Sequence, residues 1–229
     1  MICFKPNDIW MEFLSTFTKY DIYVIIDDNQ TDYKEQYAKY TNIHIIQIAN
    51  EDCIQNGFLD TDFKKNGFGW SKALYYFSSI QTNYNYVWFV EYDVFIHSQM
   101  TLLKIDSQYK HADLLTNKSK QRKNVKGDWN WDWIKIDIPL PHFHAMCCAV
   151  RMSPAVLSKI KEYANTHKRL FFHEALSPTI CHHNKLIHSS PKELRNIVYR
   201  KNYKDKDIDT KNLYHPVKDI EKHTHYRRL

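Results

Sequence analysis

The sequence predicts an α/β layered domain in which a parallel sheet is joined by crossover helices. Three observations predict it. Short β-rich apolar runs alternate with helix-like segments through the first half of the chain. A hydrophobic fraction of 43% with 25% charged residues is globular in character. The length, 229 residues, suits one domain with a sizeable core, and no repeat or low-complexity linker marks a second.

The elements follow in order. Ile2 to Phe4 reads as a strand entered without a lead-in, as at a boundary cut into a longer chain. Asp21 to Ile26 is a β-rich run that stops at the turn-forming cluster Asp27-Asp28-Asn29. Thr31 to Tyr40 reads as a short polar helix, and Ile43 to Ile48 as the next strand. Trp70 to Ile80 places Ala73, Leu74, Phe77 and Ile80 on one helical face. Val87 to Val90 is a strand that ends at two acids, Glu91 and Asp93.

The second half is less regular. His111 to Leu115 reads as a short strand, Lys118 to Asp132 as a polar mobile loop, and His144 to Val150 as another strand. Ser153 fits an N-cap and Pro154 the first position of a helix running to about Asn165. Glu174 to His183 reads as a helix that Pro178 disturbs.

Composition narrows the partners. The net charge is +6, and Lys192 to Leu229 holds eleven Lys or Arg against six Asp or Glu. Such a tail implies an anionic partner or simply a solvated basic end. Five cysteines without CxxC spacing read as reduced, mostly buried thiols of an intracellular protein. Zinc binding by them is the weaker alternative. There is no apolar run of the roughly 20 residues a membrane span needs, and no signal-peptide pattern. The expectation is a soluble cytoplasmic protein, viral or in a host cytoplasm, or an excised domain of a longer chain.

In parallel α/β sheets the ligand crevice lies beyond the carboxyl ends of the strands. Asp27, Asp28, Glu91 and Asp93 all occupy such positions. Glu91 and Asp93, one residue apart, share a face by the two-residue period. Carboxylates are costly to desolvate without compensation, so the pair would attract a hard divalent cation. A solvated strand end is the plain alternative.

Elements recur in order: the acidic turn Asp27-Asp28 after an early strand, Gly69-Trp-Ser-Lys-Ala-Leu, Trp88-Phe-Val-Glu-Tyr-Asp-Val, Ala112-Asp-Leu-Leu, His173-Glu-Ala-Leu with Pro178-Thr179, and Tyr214-His-Pro-Val-Lys. In these the chain resembles the nucleotide-sugar-dependent glycosyltransferases of the GT-A fold, with the Asp-x-Asp signature in a Glu-x-Asp form. The resemblance implies a Rossmann-like, mixed, mostly parallel central sheet flanked by helices, with an irregular C-terminal half. Residues 1–110 would bind the nucleotide-sugar, and 111–229 would bind the acceptor and carry catalysis.

The resemblance also implies roles. Asp93 would ligate Mn²⁺ (or Mg²⁺) directly, Glu91 would bind it through water or hold the ribose, and His215 would be the distant ligand; an imidazole favours Mn²⁺. Lys218 would contact a phosphate, Asp27 or Asp28 the nucleobase or ribose, and Lys72 the diphosphate or donor sugar. Glu174 would be the general base, or an acceptor-binding group if the enzyme retains configuration. Asp113 is the second catalytic candidate. The donor would be a nucleoside diphosphate-sugar, UDP by default, and the acceptor a glycan, protein or lipid hydroxyl. Nucleic acid is not expected as a partner, nor is an integral membrane segment. Trp129, Trp131 and Trp133 would stack on sugar under a closing loop, or else anchor a strand.

Two other classes compete. His142, His144, His182 and His183 with carboxylates would suit a metal-dependent phosphoesterase or nuclease. The basic tail with Tyr199, Tyr203 and Tyr214 would suit a single-stranded nucleic-acid-binding module, although Asp205, Asp207 and Asp209 interrupt it.

Overall fold

A computed structural model describes residues 1–60, 67–123, 125 and 128–229. The first half supplies β1 (Ile2–Cys3), α1 (Asp8–Ser15), β2 (Ile22–Ile26), β3 (Ile43–Gln47), α2 (Asn50–Gln55), α3 (Gly69–Tyr75), β4 (Val87–Val90) and α4 (Gln99–Gln108). The second half supplies β5 (Leu114–Leu115), β6 (Lys120–Gln121), β7 (Phe143–His144), β8 (Ala149–Met152), α5 (Pro154–His167), α6 (His173–His183), β9 (His188–Ser189), β10 (Asn196–Ile197), β11 (Tyr214–His215) and α7 (Ile220–Tyr226).

The architecture is mixed α/β with helices interspersed. A small parallel sheet runs β1-β2-β3, and a mixed sheet runs β4-β8-β5-β9 with β8 antiparallel to both neighbours. A single parallel bridge, Ile2 to Glu91, sets β1 beside the exit of β4. The carboxyl ends of β1, β2 and β4 therefore lie on one edge. Strand period two divides the core across the sheet. Val24 and Ile26 of β2, with Val90 of β4, join one apolar cluster; Ile25 and Phe89 join the other.

Several elements differ from the sequence reading. Thr31 to Tyr40 is a succession of turns rather than a helix. Gln47 provides the reason: its side chain accepts the Tyr33 N–H (3.0 Å) and donates to the carbonyls of Thr31 (2.7 Å) and Asp28 (3.1 Å). Those backbone groups are satisfied without a helix, and Tyr33 and Tyr37 are buried. Helix α3 passes at Tyr76–Ile80 into a π turn, closed by Gln81 N–H to Tyr76 O at 2.9 Å.

The expected strand from His144 to Val150 is two strands, β7 and β8. Between them Ala145 N–H turns to Glu174 O and Cys148 O receives the Glu91 N–H. His111 to Leu115 is strand only at Leu114–Leu115. In the expected loop Lys118 to Asp132, residues 124, 126 and 127 lie outside the described residues, and Trp131–Trp133 forms a 3₁₀ turn. Ser153 caps α5 as read, its side chain accepting the Val156 N–H, with Pro154 at the first position. All five cysteines are free and buried. No helix of the described residues is long and apolar enough to cross a membrane.

Candidate metal centre

Glu91 leaves β4 with its backbone N–H on Cys148 O at 2.9 Å, which ties it to β8. Its carboxylate accepts the Trp70 indole N–H at 2.6 Å and lies 3.9 Å from His173 Nε2. The His173 and Trp70 rings stack, with centroids 4.4 Å apart and planes at 11°. Trp70 thus fixes both the acid and the imidazole beside it. Burial raises the Glu91 pKa, and Asp93 adds to the rise as a like charge.

Two residues on, Asp93 is buried, and its backbone carbonyl holds the Val217 N–H at 2.7 Å. That bond draws the segment after β11 against the exit of β4 and delivers His215. His215 Nδ1 lies 2.7 Å from Val198 O. A carbonyl can only accept, so Nδ1 carries the proton, and Nε2 faces Asp93 Oδ1 at 3.4 Å. Asp93 Oδ1 is buried without a hydrogen-bond partner. Two acceptor atoms facing each other in a buried site require positive charge between them, either a proton or a cation. For His215, burial pulls the pKa down, but Asp93, Val198 O and Glu91 together raise it.

Cys148 completes the cluster. Ligand atoms of Glu91, Cys148 and His215 all lie within 4.8 Å of one another, the one such group of three found among the described residues. Burial and the nearby Glu91 and Glu174 hold the thiol well above its ordinary pKa. Glu174, in the first turn of α6, is buried, and burial and then Glu91 push its pKa up to about 8. Three carboxyl groups thus crowd around one imidazole. Glu91, Cys148 and His215 could together hold a divalent cation; Asp93 is not a member of that three-ligand group and meets it through His215, against which its orphaned Oδ1 is set. Cys148 donates once its proton is displaced, and its sulfur moves the preference away from Mg²⁺ toward Mn²⁺ or Zn²⁺.

Other residues singled out in the sequence sit elsewhere. Asp27 is at the same sheet edge, but Lys72 Nζ pairs with its Oδ1 at 2.9 Å and Phe68 N–H with its Oδ2 at 2.9 Å. The fully buried Lys72 also donates to Asp27 O (2.8 Å) and Asn29 Oδ1 (3.0 Å). Its three protons are engaged, so Lys72 offers none to a diphosphate. Gly67 explains the close approach: at φ +81° it takes a conformation that suits glycine, and a Cβ there would lie 2.1 Å from Asp27 Oδ2. Lys72→Met, which leaves the Asp27 carboxylate unpaired, is expected to cost about 3–5 kcal/mol in urea unfolding. Unchanged stability would show that the pair does not support the fold.

Asp28 is buried and accepts from Gln30 N–H (2.9 Å) and Tyr33 O–H (2.8 Å), which lower its pKa. With these bonds it closes a turn. Asp113 is likewise engaged: it accepts from the Ser153 hydroxyl and from Ile187 N–H, each at 2.9 Å, tying α5 to β9. The structure does not bring it into the cluster. Lys218 is exposed, three residues beyond His215.

Neither histidine pair joins a three-ligand group among the described residues. His142 Nε2 bonds to Ile138 O and His183 Nε2 to Pro141 O. Of the tail tyrosines, Tyr203 and Tyr214 are buried in a small apolar cluster and Tyr199 is exposed. Trp131 is buried, and Trp129 stacks on His144 with centroids 4.1 Å apart. Trp133 remains exposed, against Phe172.

No protein-family model and no curated protein matches the chain.

Cys148, Trp70 and His173 were not among the residues singled out as functional in the sequence. A carboxylate two residues before another carries no local mark of the indole and thiol that will meet it. The signal available was the Cys147-Cys148 pair in an apolar run, which reads equally well as core.

Proposed function

We propose that the chain is a divalent-metal-dependent glycosyltransferase of the GT-A type, acting on a nucleoside diphosphate-sugar and a hydroxyl acceptor. The observation that carries the reading is the meeting of Glu91, Cys148 and His215, with Asp93 set against His215 by a buried carboxylate oxygen that has no hydrogen-bond partner. The small parallel sheet and the mixed sheet beside it, with that cluster at the exit of β4, support it.

A cation bound there would act as a Lewis acid and neutralise the diphosphate leaving group. The chain's own residues do the rest. Asp93 and His215 hold their ligand atoms in place, the first by the Asp93 O–Val217 N–H bond and the second by the Val198 carbonyl. Trp70 fixes Glu91. Glu174 takes the acceptor's hydroxyl proton as its oxygen attacks the anomeric carbon. The bond from that carbon to the phosphate oxygen breaks, and the nucleoside diphosphate leaves. A buried carboxyl with a raised pKa is a suitable proton acceptor once a cation offsets the charge on Glu91. Lys218, exposed three residues beyond His215, would serve as a point charge for phosphate, and exposed Trp133 would offer a face to sugar.

The test is a thermal-shift panel of nucleoside diphosphates and their sugars, with and without Mn²⁺. One nucleotide should raise Tm by about 3–6 °C with Mn²⁺ and by under about 1 °C without it. Stabilisation by oligonucleotides irrespective of metal, or by no nucleotide, overturns the reading.

A further inference from the structure

The segment that delivers His215 is held from both sides at one residue, Val217. Val217 N–H donates to Asp93 O at 2.7 Å, and Val217 O lies 2.8 Å from Nε2 of His223, on α7. A carbonyl can only accept, so Nε2 carries the proton. Asp93 O, Val217 and the His223 ring thus form one chain of bonds. At its start the Asp93 carboxylate is set against His215, which itself lies two residues before Val217. Val217 and His223 are both buried, so water offers neither bond a ready replacement.

The ring is itself fixed. It meets Trp10 and Phe95 edge-on, with centroids 5.2 and 5.8 Å away. Trp10 in turn donates its indole N–H to Tyr92 O at 2.6 Å, at the residue between Glu91 and Asp93. At the end of α7, Arg227 Nε donates to Ile96 O at 3.2 Å, and its guanidinium lies 3.5 Å from the centroid of the Phe13 ring. Helices α1 and α7 therefore grip the backbone that carries the acids out of β4.

His223 bears a cost that packing does not explain. Its Nδ1 is buried without a hydrogen-bond partner, and an unsatisfied buried polar atom is destabilising. A phenylalanine would pack against Trp10 and Phe95 without that orphan atom. What the imidazole adds is the Nε2 proton, and that proton goes to Val217 O. Burial holds the His223 pKa down at about 4, so the ring is neutral at ordinary pH and keeps this single-donor form.

We propose that His223 is a positioning residue for the candidate metal centre: by holding the Val217 carbonyl it sets the place of His215 against Asp93, Glu91 and Cys148. The inference rests on the reading of that cluster as a metal centre. Upstream, His215 is anchored by the pairing of β11 with β10 and by the mutual bonds of Tyr214 and Phe95. Downstream, Pro216 has no N–H to offer, and the hold passes to Val217. Released by His223, the Val217 segment is free to turn away from Asp93 O. The imidazole and the carboxylate then lose their common frame although neither has been altered. Groups that orient ligands without touching the ion are worth about 10- to 100-fold in metal affinity.

The test uses the full chain. His223→Phe keeps a ring against Trp10 and Phe95 and removes the donor; His223→Gln returns an N–H at the reach of Nε2. Mn²⁺ titration followed by electron paramagnetic resonance reads affinity, the visible absorption of the Co²⁺ form reads ligand geometry, and metal-free melts read the fold. His223→Phe is expected to bind Mn²⁺ about 10- to 100-fold more weakly and to shift the Co²⁺ bands, and His223→Gln to return affinity to within about threefold of wild type and to restore the bands. Wild-type affinity with an unshifted Co²⁺ spectrum in His223→Phe overturns the positioning role. So does a phenylalanine variant that fails to fold, or a glutamine variant that binds no better than it, because His223 then serves the fold alone. Failure of the metal-centre reading looks different: the wild-type chain itself takes up neither Mn²⁺ nor Co²⁺, and the inference falls with it.

Discussion

Glu174→Gln is expected to lower turnover about 10²- to 10⁴-fold and, in the same protein, to stabilise the fold at alkaline pH. The first effect follows, on the proposed function, from removing the proposed general base while keeping the side chain's shape. The second follows from proton linkage. The Glu174 carboxyl titrates at about 8 in the folded chain against an ordinary 4.5, with burial as the larger cause and Glu91 the next. The folded state therefore holds a proton that the unfolded state has released between those two values. Stability from this group is fully present below pH 4.5, declines as pH rises, and is lost above about 8. Glutamine neither ionises nor declines.

The linkage bound is below about 5 kcal/mol, and relaxation around the charge brings the expected gain at pH 9 to ~1–3 kcal/mol. Urea melts of both proteins at pH 5 and pH 9 measure it: the curves should coincide at the lower pH and separate at the higher. Nucleoside diphosphate release from the sugar nucleotide picked out by the thermal-shift panel measures turnover, and its rise with pH should vanish in the variant. Curves that coincide at pH 9 would mean that Glu174 is not desolvated as the packing implies. Retained turnover would remove it from the proton transfer without touching the stability argument.

The contrast between Glu174 and Lys72 indicates what a sequence of this kind discloses. Each is a charged residue with a polar neighbour before it and an alanine after it, and the sequence offers both as site residues. Glu174 lies in the first turn of α6 and reaches a crowded acidic cluster. Lys72 lies one turn into α3 and reaches Asp27 and Asn29 instead. The local sequence determines that each side chain leaves its helix on the inner face. It does not say what that face meets, because the meeting depends on crossover geometry that no local period encodes.

The same limit applies to strands. The runs at Ile22–Ile26, Ile43–Gln47 and Val87–Val90 were legible because β-rich apolar stretches end at turn formers. The antiparallel placement of β8 beside β4 was not, and with it went Cys148. Thr31 to Tyr40 misled for a related reason: its pattern suits a helix, but a glutamine side chain on β3 claims its backbone groups. The approach of Glu91, Asp93 and His215 was legible only through the order of motifs along the chain, since more than a hundred residues separate the pair from the imidazole.

Asp93→Asn should weaken Mn²⁺ binding by at least about 100-fold while leaving the fold intact, and the nucleotide-induced thermal shift should vanish with it. Loss of a group that merely supports a metal ligand costs about 10- to 100-fold, so loss of a direct ligand's charge sets a floor near the top of that range. The fold is insulated from the change. The backbone carbonyl of residue 93, which holds Val217 N–H, is unaltered, and the side-chain oxygen being neutralised has no hydrogen-bond partner to lose. Removing a carboxylate charge beside Glu91 should, if anything, raise the metal-free Tm slightly. Cys148→Ser divides the cluster's chemistry in a way Asp93→Asn does not. If sulfur is a donor, the serine variant should keep Mn²⁺ within a fewfold but lose Cd²⁺ affinity and its thiolate absorption, because soft metals depend on the sulfur. Mn²⁺ titration followed by electron paramagnetic resonance and Cd²⁺ titration followed by ultraviolet absorption separate the two. Wild-type Mn²⁺ affinity in Asp93→Asn would mean that the buried oxygen facing His215 is balanced by a proton on the imidazole, and that the cluster is an ion pair of the fold rather than a metal centre.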